Sequence, residues 1–258
     1  MKYSNIAVKY HNNIAIVTLN RASKYNIMTT QTLNEICDIF SLFLNSPVKA
    51  VIIAGSGKAF CAGADISEML KLDYNTAKIY SKEGHEALEF IENFPKPVIA
   101  ALNGFVFGGG CELALACDFR IASADVKIGQ PEIKLGIICG WGATQRLPKI
   151  IGKPKALRLI MSGDIISADE AEKIGLVDKV VSAENLIKEA IKLAENFTSK
   201  PFLALMEAKK AVVFGLNNIP AEGKNFEMEC FANCFKTEDQ KEGMKAFLEK
   251  RNAVFKDR

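Results

Sequence analysis

The stretch PVIAALNGFVFGGGCEL, residues 97–113, decides the fold. Its first part, Pro97–Leu102, is a short apolar run without charge, which predicts a buried β-strand. A glycine cluster follows this run and leads into a helix that is predicted near 110–116. A buried strand that passes through glycines into a helix is typical of an α/β protein.

The same alternation extends in both directions from this stretch. Ile6–Tyr10 and Ile14–Thr18 alternate around Asn12–Asn13 and predict a β-hairpin. Further strands are predicted at 49–54 and 118–122, and further helices at 30–45, 74–93, 183–197 and 201–214. The capping boxes Ser167–Glu170 and Thr237–Gln240 each predict the start of another helix. Helices alone fill the last third, so the sequence predicts an α/β core with a helical C-terminal segment.

The composition excludes several classes of protein. The chain has 258 residues, of which 49% are hydrophobic and 24% charged, as in an ordinary soluble globular protein. Its net charge of +3 is spread without a long basic run, so we expect no nucleic-acid partner. The longest uncharged stretch, residues 97–111, is shorter than the roughly 20 residues of a membrane span, so we expect no membrane partner.

Cysteine and histidine are placed unfavourably for a metal site. The seven cysteines include no CxxC pair and only two histidines accompany them, so no metal is predicted. An odd number of cysteines, and an N-terminus without the apolar core of a signal peptide, together predict the cytoplasm. No GxGxxG opens a helix after a strand, which argues against a dinucleotide cofactor.

Two segments place small residues where a predicted strand ends. They are Lys58–Met69, KAFCAGADISEM, and Gly104–Leu113, GFVFGGGCEL. No bulky side chains obstruct the backbone N–H groups there, and those of the second segment lie at the positive end of a helix dipole. Two such donors could bind one carbonyl oxygen as an oxyanion hole. The alternative is that the glycines only permit tight packing or a turn, and the glycines by themselves leave both interpretations open.

Two glutamates accompany these segments. Glu112 begins an otherwise apolar helix, where a carboxylate needs a partner, a hydrogen bond or a proton; it could equally be a favourable charge at a helix N-terminus. Glu132, in the turn-rich segment Gly129–Gly136, could be catalytic or a surface turn residue. Two carboxylates in one cleft would differ in pKa and could serve as acid and base, but spacing alone does not bring them together.

Three segments together resemble the enoyl-CoA hydratase (crotonase) family, and within it the short-chain hydratases. They are residues 58–69, KAFCAGADISEM, residues 96–123, KPVIAALNGFVFGGGCELALACDFRIAS, and residues 129–152, GQPEIKLGIICGWGATQRLPKIIG. The resemblance implies a crotonase-like spiral of ββα turns over residues 1–200 and a C-terminal helical oligomerisation region over 201–258. It also implies a homo-oligomer, either a trimer or a dimer of trimers.

The resemblance further implies an active site for the reversible hydration of 2-enoyl-CoA. In that reading Ala64 and Gly109 supply the oxyanion-hole N–H groups, Glu112 activates water and Glu132 gives a proton to C2. The other substrate-binding residues it implies are Ala62, Asp65, Ile66, Ser67, Gly140 and, from a neighbouring subunit, Lys250. Coenzyme A is part of the substrate, and no separate cofactor is expected.

The sequence departs from the family pattern at three places. Cys139 replaces a usual proline, Ala143 replaces a usual glycine, and Asn26–Met28 reads NIM in place of the common NAL. These departures leave the acyl-chain preference open. Isomerases of the family commonly lack the first glutamate, so the sequence favours a hydratase over the alternatives, which are an isomerase, an acyl-CoA hydrolase or a non-catalytic acyl-CoA-binding protein.

Overall fold

The computed structural model describes residues 3–257, and two β-sheets lie at its centre. The strands are β1 (Ile6–His11), β2 (Ile14–Leu19), β3 (Ala50–Gly55), β4 (Ala59–Cys61), β5 (Val98–Leu102), β6 (Phe105–Phe107), β7 (Phe119–Ser123), β8 (Lys127–Gly129), β9 (Ile165–Ser167) and β10 (Lys179–Val181). The larger sheet has the order β1-β2-β3-β5-β7-β10, and the smaller has the order β4-β6-β8-β9.

Helices connect these strands and then continue alone to the C-terminus. They are α1 (Thr30–Leu44), α2 (Ile66–Met69), α3 (Tyr74–Glu92), α4 (Gly109–Ala116), α5 (Ala143–Ile151), α6 (Lys153–Ser162), α7 (Ala168–Lys173), α8 (Leu186–Thr198), α9 (Phe202–Asn217), α10 (Pro220–Cys234) and α11 (Glu238–Leu248). Short 3₁₀ helices span Ala22–Lys24, Pro131–Leu135 and Ala183–Asn185. The predicted α/β class with a helical C-terminal region is confirmed.

The central strands of the larger sheet are buried on both faces. The predicted hairpin is confirmed, because β1 pairs antiparallel with β2, and β2, β3, β5 and β7 then run parallel. Along β3 the side chains alternate, so that Val51 and Ile53 face the core that contains α1, α3 and α4, whereas Ile52 and Ala54 face α8. Such near-continuous apolar strands are typical of parallel sheets covered by helices on both sides.

The smaller sheet gathers three loops at one edge. Its strands β4, β6 and β8 are parallel neighbours of three residues each. Because parallel strands end at the same edge, the segments that follow Cys61, Phe107 and Gly129 lie side by side. These segments are the AGAD loop, the glycine cluster with Glu112, and the turn that carries Glu132.

The last three helices leave large apolar side chains exposed. Phe231 on α10 is 65% exposed, and Phe247 and Leu248 on α11 are 83% and 80% exposed. Lys209 on α9 attaches this region to the core through an ion pair with Asp118 at 2.7 Å. The division of the chain at residue 200 stays a prediction, although α9 begins at Phe202, close to the predicted boundary.

Candidate active site

The loops after β4, β6 and β8 surround a cavity of about 510 Å³. It is lined by residues of all three loops, of α2 and α3, and of the segment before α5: Ile27, Ala62, Gly63, Ala64, Asp65, Ile66, Met69, Leu72, Ala77, Tyr80, Ser81, Gly108, Gly109, Glu112, Pro131, Glu132, Leu135, Ile137, Ile138, Gly140 and Trp141. The structure therefore brings together both predicted glutamates and both predicted backbone donors.

The two predicted donors, Ala64 and Gly109, lie against each other across the cavity wall. A Cβ atom added to Gly109 would lie only 3.3 Å from the Ala64 nitrogen, and one added to Gly63 would lie 4.0 Å from the Gly109 nitrogen. Neither N–H has an acceptor within residues 3–257. Two neighbouring unpaired N–H groups of this kind can bind one oxygen atom that gains negative charge.

The segment Asn26–Met28 holds the first of these donors in place. Met28 is fully buried, its N–H donates to the Gly63 carbonyl at 2.8 Å, and its carbonyl accepts from Asp65 N–H at 2.9 Å. The Asn26 amide donates to the Ala59 carbonyl at 2.7 Å. The departure from the family pattern at this segment therefore lies directly beside the Ala64 loop, and Ile27 lines the cavity itself.

Glu112 is buried in the first turn of α4 and is fixed by backbone groups. Its side chain is only 2% exposed, and its Oε1 accepts hydrogen bonds from Trp141 N–H at 2.8 Å and Ala143 N–H at 3.0 Å. Burial, with a smaller contribution from the charge of Glu132, outweighs those two hydrogen bonds and raises the pKa of Glu112 to about 7. Ala143, which replaces the glycine usual in the family, thus contributes only its N–H to the site.

Arg146 stabilises the segment Trp141–Ala143, which supplies these two donors. Arg146 donates to the Trp141 carbonyl at 3.0 Å and pairs with Glu92 at 2.8 Å. The Trp141 ring lies against Gly109, where an added Cβ would approach to 2.6 Å, and its centroid lies 5.4 Å from that of Tyr80. Trp141 therefore connects the Glu112 carboxylate with the Gly109 donor.

Glu132 lies across the cavity on the 3₁₀ helix Pro131–Leu135 and is half-buried. Burial raises the pKa of this carboxyl too. A Cβ atom on Gly108 would come within 3.1 Å of Glu132 Oε1, and Gly108 has φ +49°, so glycine is required there for both reasons. The glycine cluster therefore makes room for the second carboxylate.

The other predicted site residues divide into two groups. Ala62, Asp65, Ile66 and Gly140 line the cavity. Ser67 does not: its N–H and hydroxyl both donate to Oδ1 of Asp65, at 2.9 and 2.6 Å, and Asp65 is the N-cap of α2. Lys250 is exposed after the end of α11 and does not line the cavity of its own chain, so its contact with the CoA phosphates stays a prediction.

Several residues of the site were not predicted from the sequence. Tyr80 and Trp141 form an aromatic wall, and the Gln130 amide, with its nitrogen turned toward Glu132, donates to both carboxylate oxygens at 2.9 and 3.2 Å. The position of Gln130 two residues before Glu132 was the available signal for the latter contact. Trp141 acts on Glu112 through its backbone N–H, for which the residue type gives no signal.

Within residues 3–257 no three His, Cys, Asp or Glu side chains are grouped so as to hold a metal ion. Every helix in that part of the chain is too short or too polar to span a bilayer. The described site holds two carboxyl groups and two backbone donors, which together suit acid–base addition next to a carbonyl group.

Comparison with known proteins agrees with this chemistry. The family model for enoyl-CoA hydratase/isomerase matches residues 9–258. A crotonyl-CoA hydratase of Syntrophomonas wolfei is 46% identical over 99% of both chains, and a short-chain-enoyl-CoA hydratase of Clostridium acetobutylicum is 42% identical over 100% of both. The crystal structure of an enoyl-CoA hydratase from Bacillus anthracis superposes with a TM-score of 0.93 at 37% identity, covering 99% of this chain and 100% of that one.

Proposed function

This chain belongs to the enoyl-CoA hydratase/isomerase family, and we propose that it is a hydro-lyase that adds water, reversibly and with syn geometry, to short-chain 2-enoyl-CoA thioesters. Crotonyl-CoA and 3-hydroxybutyryl-CoA are the expected substrate and product. The observation that carries this proposal is the meeting of two unpaired backbone donors and two carboxyl groups in one cavity. The names of the related hydratases support the same reaction.

The thioester oxygen binds between Ala64 N–H and Gly109 N–H. These donors stabilise the enolate charge that develops on this oxygen as water adds, and each contributes roughly 10²–10³ in rate. The Gly109 donor gains from its place at the N-terminus of α4, whose dipole favours negative charge there. Binding the oxygen in this way polarises the conjugated C=C bond and makes C3 electrophilic.

The two glutamates then move the protons. Glu112 accepts a proton from water as the water oxygen forms its bond to C3, and Glu132 gives a proton to C2 as the enolate collapses. A carboxyl with a pKa of about 7 is half protonated near pH 7, so Glu112 can both take and return a proton. Dehydration follows the same steps in reverse, and Gly140 helps to hold the water.

The aromatic wall favours a short acyl chain. The chain beyond C3 extends past the glutamates toward Trp141 and Tyr80, whose ring centroids are 5.4 Å apart. Trp141 is 2% exposed and braced by Arg146, so it does not readily move aside for further methylene groups. We therefore expect the site to prefer a four-carbon acyl group over longer ones.

The C-terminal helices mediate self-association in this proposal. Phe231, Phe247 and Leu248 are large apolar side chains left exposed on α10 and α11, and burial against a second copy of the chain would remove them from water. A trimer, or a dimer of trimers, brings Lys250 of one subunit to the CoA phosphates of another. Size-exclusion chromatography with light scattering tests this, and a monomer at micromolar concentration would contradict it.

Compartment and cofactor requirement belong to the proposal as well. All seven cysteines are free, which suits a reducing cytoplasm. No cofactor is expected beyond the CoA carried by the substrate. Dialysis against a chelator should leave turnover unchanged, and its loss, with recovery on adding a metal, would overturn this point.

The direct test is to mix the purified protein with crotonyl-CoA. Loss of the ultraviolet absorbance of the conjugated thioester, with 3-hydroxybutyryl-CoA identified by chromatography, is the expected result. Free CoA would indicate a hydrolase, and a shifted double bond would indicate an isomerase. Binding without turnover, across a panel of enoyl-CoA chain lengths, would indicate a non-catalytic acyl-CoA-binding protein.

A further inference from the structure

The N–H group of Trp141 belongs to a peptide group that makes hydrogen bonds on both sides. On one side this N–H donates to Glu112 Oε1 at 2.8 Å. On the other side the carbonyl of the same peptide group, that of Gly140, accepts a hydrogen bond from the Ser81 hydroxyl at 2.6 Å. A peptide group is planar, and its C=O and N–H point in opposite directions. The hydrogen bond to the carbonyl therefore also fixes the direction of the N–H.

The turn that contains this peptide group has little rigidity of its own. Gly140, Trp141 and Gly142 lie outside the helices and strands, and α5 begins only at Ala143. Gly142 has φ +115°, in the region that favours glycine. Because glycine has more conformational freedom than any other residue, a turn with glycine on both sides of Trp141 needs contacts from elsewhere to keep one conformation.

The peptide group that carries the other donor to Glu112, the Ala143 N–H, is supported differently. Its carbonyl, that of Gly142, accepts hydrogen bonds from two backbone N–H groups in the first turn of α5, at 3.0 and 2.9 Å. By contrast, the Gly140 carbonyl accepts, within residues 3–257, from the Ser81 hydroxyl alone. One donor is thus held by a helix, and the other by a single side chain.

From this geometry we propose that Ser81 is a positioning residue, whose hydroxyl keeps the Trp141 N–H directed at Glu112 through the peptide group between them. Ser81 lies on α3 and is half-buried. Its effect passes through the backbone, because the peptide group turns first and the carboxylate loses its donor as a consequence. The hydroxyl also polarises this peptide group, since hydrogen bonds in a chain strengthen one another.

The inference rests on the proposed function in that Glu112 is taken to accept a proton from water, for which it must be ionised. A hydrogen bond to the ionised form of a carboxyl group favours that form. By directing the Trp141 N–H, Ser81 therefore increases the fraction of Glu112 that can act as a base.

The charged and titratable groups around Glu112 are the background to this effect. Burial raises the pKa of Glu112 to about 7 against its two backbone hydrogen bonds, while the charge of Glu132 adds to the rise and that of Arg146 opposes it. Three further groups lie nearby, and burial raises the pKa of each, so that they stay neutral near pH 7: Cys111, Cys139 and Tyr80. Because Ser81 carries no charge, its removal acts on Glu112 through hydrogen bonding.

Three variants test the proposal. Ser81→Ala removes the hydroxyl, Ser81→Thr keeps it, and Ser46→Ala is the matched control. Ser46 is likewise half-buried, and its hydroxyl donates to the Phe43 carbonyl at 3.0 Å, but it lies after the end of α1 and does not line the cavity. The first readout is ¹³C NMR titration of glutamate-labelled protein without substrate, in which Glu112→Gln identifies the resonance.

Ser81→Ala should raise the pKa of Glu112 by about half a unit, as expected when one of its two hydrogen bonds is weakened but not lost. Ser81→Thr and Ser46→Ala should leave this pKa unchanged. No shift in Ser81→Ala, or an equal shift in the threonine variant or in the control, would overturn the proposal. Weaker binding of crotonyl-CoA to Ser81→Ala, measured by calorimetry, with an unmoved pKa would mean that the hydroxyl acts on the substrate instead.

The second readout is the pH profile of kcat/KM for hydration. Glu112 must be ionised in that direction, so its raised pKa in Ser81→Ala should move the acid limb to higher pH by the same amount. A shift in the NMR titration without any turnover of enoyl-CoA would leave the positioning role intact and refute the proposed function. Turnover of enoyl-CoA by Ser81→Ala with an unmoved titration and an unmoved limb would do the opposite.

Discussion

The two glutamates of the site are held in different ways. Glu112 is 2% exposed, lies in the first turn of α4 and accepts hydrogen bonds from two backbone N–H groups. Glu132 is half-buried on a short 3₁₀ helix and accepts hydrogen bonds from the side chain of Gln130. One carboxylate is positioned by the fold of the backbone, and the other by neighbouring side chains.

This difference indicates where the site can be tuned. Backbone donors survive almost any substitution of the residue that carries them, as Ala143 shows in place of the usual glycine. Side-chain donors are lost with a single substitution. We therefore expect variation around Glu132 to adjust rate and pH dependence, whereas variation around Glu112 must disturb the fold before it affects the carboxylate.

The largest expected effect is loss of either carboxylate. Glu112→Gln and Glu132→Gln should each lower kcat by roughly 10³-fold, because a neutral amide cannot exchange the proton that general acid–base catalysis requires. Substrate binding should remain, measured by calorimetry with crotonyl-CoA. Near-normal turnover in one variant would remove that residue from the mechanism.

The second prediction separates the Gly109 donor from its packing. Gly109→Ala and Gly109→Pro both introduce a Cβ within 2.6 Å of the Trp141 ring, but only proline removes the N–H. Proline is tolerated at the first residue of a helix, which Gly109 is. The proline variant should therefore lose about 10²-fold more kcat than the alanine variant. Equal losses in the two variants would mean that the N–H does not act on the substrate.

A third prediction concerns Trp141, whose backbone N–H donates to Glu112 and whose ring lies against Gly109. Trp141→Phe should raise the preference for a six-carbon over a four-carbon enoyl-CoA by roughly 10-fold in kcat/KM, because each methylene accommodated in an apolar pocket is worth about 1–3 kcal/mol. Phe94→Leu is the control, since Phe94 is fully buried and does not line the cavity. An unchanged preference in Trp141→Phe would contradict the position assigned to the acyl chain.

The smallest expected effect is on the pH dependence of stability. The pKa of Glu112 rises from 4.5 in the unfolded chain to about 7 in the folded one. Its contribution to stability is therefore fully present below pH 4.5 and is lost as the pH rises through 7. The free energy of unfolding should therefore fall as the pH rises, by at most about 1.4 kcal/mol per pH unit for one proton. Glu112→Gln should remove this pH dependence. Urea unfolding from pH 5 to 8, at one protein concentration, measures it, and parallel curves would contradict the buried state of this carboxyl.

Much of the larger sheet could be predicted from the sequence, because its signals are local. The alternation in β1 and β2 and the apolar runs of β3 and β5 are each visible within six residues. By contrast, β6 and β8 have three residues each and gain their order only by pairing with their neighbours in the smaller sheet. Helix α10 buries only Cys230, so its residues carry no apolar stripe to recognise.

The site was predictable in its residue types but not in its convergence. The spacing of Glu112 and Glu132 along the chain does not show that they share one site. Only the resemblance to the family predicted it. The contacts of Trp141 and Ala143 with Glu112 go through backbone N–H groups, which every residue except proline possesses. Ser67 shows the converse, since a residue that the family resemblance assigns to the site donates instead to Asp65, the N-cap of α2.

Gly84 on α3 has a consequence for the history of this sequence. A Cβ atom at position 84 would lie 2.0 Å from Trp141 Cδ1, so the two residues share one volume. Any larger residue at position 84 is excluded while the indole is present, whereas a smaller residue at position 141 releases the constraint. The order of replacement in a lineage is therefore fixed, with position 141 changing first, and a descendant that has filled position 84 cannot regain tryptophan in one step. Homologues with tryptophan at 141 should accordingly carry glycine at 84.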